Sequence, residues 1–165
     1  MNRPSPLMKK IHKAFLTSLF LLACTHPCHA IDDPDTPDYT AAFEARAQAF
    51  RQALEQQDAA EEKRFSHFLD HEIEAAYASL RRKLGPGEAR QLAAAQNAWL
   101  KYYRAEAAFI TSHWTRARFG SSYALSRSGY LLALKEARVK TLLGYLKNHP
   151  YSPDDAALTK RPDAK

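Results

Sequence analysis

Apolar residues recur at helical spacing in four stretches of the chain. After a proline-containing lead from Asp32 to Asp38, Thr36 can cap a helix with Pro37 at its first position, and Tyr39, Phe43, Ala47, Phe50 and Leu54 then fall on one face. The segment from Glu55 to Arg64 has no large apolar residue and reads as a solvated continuation or a connection. A second helix is predicted from about Glu62 to Leu84, with Phe65, Leu69, Ile73, Ala76, Tyr77, Leu80 and Leu84 on one stripe, ended by Gly85-Pro86-Gly87. A third, from about Glu88 to Thr115, aligns Leu92, Gln96, Trp99, Tyr103, Glu106 and Ile110, flanked by Ala95, Tyr102 and His113. The connector Arg116 to Ser122 offers two serines as caps for a fourth helix reaching about Lys147. Its broad apolar face holds Leu125, Leu131, Leu132, Leu134, Val139, Leu142, Leu143, Tyr145 and Leu146, with Arg138 inside that sector. The pattern predicts an all-α bundle of three to four helices with Tyr77, Leu92, Trp99, Ile110, Leu131 and Leu142 in its core. The stretch from His149 to Lys165, with Pro150, Pro153 and Pro162 among polar residues, reads as a disordered tail.

Composition supports this reading and adds a compartment. Five glycines in 165 residues are too few for a hairpin-rich sandwich or a glycine-cradled nucleotide site. Residues 1–30 have the form of a signal peptide: a basic stretch to Lys13, an apolar run from Ala14 to Ala23, and a polar segment broken by Pro27. Ten apolar residues are too short for a membrane anchor, which needs about 20. Two processing routes fit: cleavage after Cys28-His29-Ala30, or a lipoprotein route at Leu21-Leu22-Ala23-Cys24 with Cys24 lipidated. The destination is periplasmic or secreted on the first route and the outer membrane on the second. Both cysteines lie in this segment, so no disulfide framework is expected beyond it and helix packing must hold the remainder.

The formal charge of +6 conceals a partition. Residues 31–62 hold nine acids and two bases, a balance of −7, whereas residues 63–165 hold 18 bases and nine acids, a balance of +9. The expected organisation is therefore a signal peptide (1–30), an acidic N-terminal helix (31–62) packed beside a basic helical domain (63–148), and the tail (149–165).

Three constellations are chemically notable. Gln96, Glu106 and Arg138 intrude on apolar faces, and a buried acid and base are tolerable when paired, so Glu106 with Arg138 is the expected ion pair of a structural polar network. His113, Trp114, Arg116, Arg118, Phe119 and Tyr123 combine aromatics and arginines around the third connector; these types dominate interface hot spots, although Trp114 and Phe119 would equally close the end of a core. His67, His71 and Glu74 have a spacing that can hold a metal, but an exposed face with no supporting shell makes the site weak, and no metal or other cofactor is expected. No nucleophile triad, paired carboxylates or supported metal signature appears, so the chain does not read as an enzyme. Nor does it read as a nucleic-acid binder, since an exported protein rarely meets that ligand and residues 31–165 carry only +2.

From Asp70 onward the residues resemble the lysozyme inhibitor LprI-like family of small exported bacterial proteins. Asp70, Ile73, Tyr77 and Leu80 match its opening; Leu92, Ala95, Gln96, Ala98, Trp99, Tyr102 and Glu106 match its central Leu and Ala-Gln-x-Ala-Trp element. Gly120-Ser121 matches its connector, and Leu134, Arg138 and Leu142 its closing helix, so that the likeness covers residues 68–147. Tyr103 stands where the family usually has Arg, and Ala107 and Tyr130 where it has cysteines, so the disulfide that the resemblance implies between the third and fourth helices is absent and packing of Tyr130 is its replacement. The implied function is that of an inhibitor of lysozyme or another peptidoglycan hydrolase, occluding the cleft by placing a loop across two catalytic carboxylates that Arg116 or Arg118 can meet. A basic animal lysozyme is not attracted by a domain at +2 unless the segment 31–62 steers it, whereas a bacterial hydrolase of different surface charge meets no such objection. The alternative is a structural envelope component, reaching the membrane only through lipidated Cys24.

Overall fold

The computed structural model describes residues 36–55 and 58–160; residues 1–35, where the signal peptide, both cysteines and most of the acidic lead are expected, together with 56–57 and 161–165, lie outside the described residues. The all-α expectation holds. Four long helices, α1 (Tyr39–Leu54), α2 (Ala59–Lys83), α3 (Pro86–His113) and α5 (Tyr123–Leu146), are accompanied by two single turns, α4 (Arg116–Phe119) and α6 (Ala156–Thr159).

Local chemistry sets the helix ends. Asp38, not Thr36, caps α1, its carboxylate accepting from the Ala41 N–H at 2.9 Å, because a carboxylate complements the positive end of the helix as well as its free N–H groups. Asp58 does the same for α2 through the Ala60 N–H at 2.8 Å, so that helix starts three residues before Glu62 and leaves only a short connection after α1. Pro86 is the first residue of α3, where its missing N–H costs nothing, and the Gly85 N–H donates to the Glu88 carboxylate at 3.2 Å. Gly120, at φ 59°, supplies the left-handed turn after α4 that residues with a side chain rarely adopt.

The core lies where α1, α2 and α5 meet. Phe50 stacks on Phe68 and Phe65 with ring centroids 4.7 and 5.5 Å apart, and Phe43 on Phe68 at 6.1 Å. Leu69, Ile73, Ala76 and Leu80 of α2 meet Val139, Leu142, Leu143 and Leu146 of α5 in the same cluster. Helix α1 itself is not acidic, holding Glu44 with Arg46 and Arg51, because the other acids of residues 31–62 fall before it or from Glu55 onward; it is docked through ion pairs as well as apolar contact. Glu44 accepts from Lys140 at 2.7 Å and from Arg51 at 2.8 Å, Arg51 reaches Glu136 at 2.8 Å, and the Arg46 guanidinium grips both Glu72 oxygens at 3.0 and 2.7 Å.

Two sequence expectations are corrected. Of the expected core, Leu92, Ile110 and Leu142 are buried and Tyr77 and Trp99 pack partly buried against it, but Leu131 is only half-buried and Leu132 takes the interior place, one position round the face of α5. The tail is ordered as far as Lys160: a 3₁₀ turn (Pro153–Asp155) and α6 dock on α1 and α2 with Asp155 and Leu158 each 1% exposed. Asp155 pairs with Lys83 at 2.8 Å and accepts from the Tyr39 hydroxyl at 3.3 Å, while Arg46 donates to the Leu158 and Lys160 carbonyls at 3.0 and 2.8 Å. Composition suggested disorder because it counts prolines and polar residues; it does not register that one carboxylate and one leucine meet complementary positions on helices more than 70 residues away.

Candidate functional site

Helix α3 has 28 residues, of which only Leu92 and Ile110 are buried, so it lies against α2 and α5 along a narrow seam. Much of that seam is polar. Arg138 of α5, 9% exposed, donates from Nε and Nη2 to the Gln96 side-chain oxygen at 3.0 and 2.7 Å, and its guanidinium lies 5.6 Å from the centre of the Trp99 ring. Burial pushes the Arg138 pKa down. One turn away, buried Lys135 donates to Asp70 at 2.8 Å and to the Ser66 hydroxyl at 2.7 Å beneath the Tyr103 ring, which stacks on Trp99 at 5.5 Å. Burial, and then the Asp70 charge, push the Tyr103 phenol up.

The network therefore contains Gln96 and Arg138 but not the expected Glu106 pair. Glu106 is ten residues beyond Gln96, about 15 Å further along the helix, where α5 presents Ala133, Leu134 and Ala137 instead of Arg138. Projection onto a helical wheel puts both polar residues in one sector and ignores this axial separation. The Lys135–Asp70–Ser66 link was missed, although an additional base one turn before Arg138 in the same apolar sector was its signal.

The residues singled out around the third connector converge at one end of the α3–α5 pair. Trp114 packs on Phe119 at 4.1 Å and on Tyr130 at 5.4 Å, and His113 touches Phe109, Trp114 and Phe119 at 5.3 to 5.5 Å. Arg127, which sequence reasoning passed over, donates to the Trp114 carbonyl at 2.6 Å and to the Thr111 carbonyl, satisfying the open end of α3, with Tyr123 under its guanidinium at 5.1 Å. The unpaired carbonyls that end any helix were the available cue. Arg116 and Arg118 are exposed and have no ion pair among the described residues. The cluster closes the end of the helix pair while its two arginines face solvent.

Two grooves flank α3. One, of about 430 Å³ between α3 and α5, is lined by Glu106, Phe109, Ile110, His113, Trp114 and Tyr130 with Ala133, Leu134 and Ala137. The other, of about 440 Å³ between α2 and α3, holds His67, Asp70, His71 and Glu74 opposite Gln96 and Trp99. Among the described residues no three His, Cys, Asp or Glu side chains come together as a metal site. No curated protein and no solved structure matches the chain. The family described as Lysozyme inhibitor LprI matches residues 53–142, a span that runs from the end of α1 into α5 and takes in Asp70, Gln96, Trp99 and Arg138 while leaving out the docked tail. That span is more than half of the 165 residues, and the chain belongs to the lysozyme inhibitor LprI family.

Proposed function

We propose that the protein is an exported inhibitor of a peptidoglycan-cleaving enzyme and that it engages its target with the end of the α3–α5 pair. The observation that carries this reading is the juxtaposition of a packed aromatic cluster with two exposed arginines that have no ion pair among the described residues. Trp114 packs on Phe119 across the turn, so the backbone that carries the exposed Arg116 and Arg118 is ordered before binding. Hydrolases of this kind work with a pair of carboxylates flanking the scissile bond, and a guanidinium is the side chain best suited to bind a carboxylate with two parallel hydrogen bonds. Membership of an inhibitor family supports a binding protein over a catalyst, and export into the periplasm or medium is where such a target is met.

The test is a lysis assay with the purified protein against animal, phage and bacterial cell-wall hydrolases at low and physiological salt. Saturable inhibition of one enzyme is expected, weakened at least 10-fold by the double reversal Arg116→Glu/Arg118→Glu with the helical circular dichroism unchanged. Undiminished inhibition by that variant would remove the arginines from the mechanism. A flat result across the panel would favour the structural envelope reading, in which Cys24 carries a lipid.

A further inference from the structure

The α3–α5 groove is open and apolar on the side away from the core. Phe109 and Tyr130, one from each helix, line it and are 59 and 51% exposed, which is uncommon for large hydrophobic side chains. Its volume of about 430 Å³ is that of a built ligand site. Within this lining Glu106 is the only acid and there is no lysine or arginine, and Glu106 has no ion pair among the described residues. A carboxylate in apolar surroundings is costly to cover unless a cation comes with the cover.

This charge pattern discriminates between occupants. A second copy placed face to face would bring another Glu106 into the same apolar interface with no lysine or arginine in the lining to neutralise either. An apolar segment bearing one cation fills the groove and satisfies the acid together. We infer that the groove docks an apolar segment of the target hydrolase that carries a single lysine or arginine, with the cation on Glu106. The identity of the partner rests on the inhibitor reading above; the chemistry of the groove does not.

The experiment uses the purified full-length protein and a synthetic leucine-rich helical peptide with one central lysine, against the same peptide with glutamate at that position, read by tryptophan fluorescence. Saturable binding of the lysine peptide is expected, at least 10-fold tighter than that of the glutamate peptide, with a signal that disappears in Trp114→Phe. Glu106→Lys should reverse the preference, and Ala137→Trp or Ala133→Trp, both on exposed positions, should block either peptide. No binding, equal binding of the two peptides, or indifference to Glu106→Lys would overturn the proposal. So would a dimer by sedimentation that Ala137→Trp dissociates, since the occupant would then be a second copy. In the lysis assay Glu106→Lys should weaken inhibition at least 10-fold. Inhibition that survives it defeats the groove proposal and leaves the inhibitor reading intact, whereas peptide binding without inhibition of any hydrolase defeats the inhibitor reading and leaves the groove chemistry standing.

Discussion

Arg138 keeps its charge inside the bundle on a neutral partner, the Gln96 amide oxygen, with the Trp99 ring beside it. Removing that oxygen leaves buried N–H donors without an acceptor, so Gln96→Leu is expected to cost about 3 kcal/mol in urea unfolding. Gln96→Leu with Arg138→Met, which removes both partners, should recover most of that loss; a double variant no better than the single one would contradict the pairing. Asp155 makes the second residue-scale prediction. Burial works to raise its pKa, but the Lys83 ammonium and the Ser152 N–H outweigh burial and hold it below the ordinary carboxylate value. Because the folded state binds the proton more weakly than the unfolded chain, whose aspartates titrate near pH 4, the stabilisation is full above about pH 4 and is lost as pH falls through the native pKa. Limited proteolysis should therefore cut the tail increasingly below about pH 4 while the bundle is still folded, and Asp155→Asn should make cleavage less dependent on pH.

At the scale of elements, α2 and α5 are buried along their length and α3 is not. Hydrogen exchange should accordingly show α3 amides exchanging faster than those of α2 and α5, most of all around Arg104 to Ala108, between its two buried anchors Leu92 and Ile110. Equal protection in all three would show that the polar seam holds α3 as firmly as the aromatic core holds α1. The docked tail carries its own test: Leu158 is 1% exposed, so Leu158→Ala should cost about 2 to 4 kcal/mol by denaturant midpoint, an effect that a disordered tail would not produce.

For the whole molecule, α1 is tied to α2 and α5 by ion pairs of both polarities, and their residual exposure predicts how salt acts. Lys140 and Glu44 are 46 and 36% exposed at their side chains, and the core beneath them is apolar, so 0.5 M NaCl should change the unfolding free energy by less than about 1 kcal/mol. The proposed inhibition should fall steeply over the same range, because salt screens the long-range attraction by which the exposed Arg116 and Arg118 approach a pair of carboxylates. Parallel loss of stability and inhibition would mean that salt acts on the fold and not on the contact.

The four long helices, their apolar faces, the partition of charge and the aromatic end of the α3–α5 pair were legible in the sequence, because helical periodicity and end chemistry are local properties of the chain. Glu106 and Arg138 show where local reading stops. A projected face gives an angle round one helix but not the height at which a neighbouring helix presents its partner, and that height assigned Gln96 to Arg138 and Asp70 to Lys135. The docking of Asp155 and Leu158 depended in the same way on positions in α1 and α2 that exist as a surface only after those helices have packed. Sequence alone determined which residues form helices and which faces seek burial; the tertiary structure decided which polar groups pair and which apolar surface remains uncovered, since both depend on distances between residues far apart in the chain.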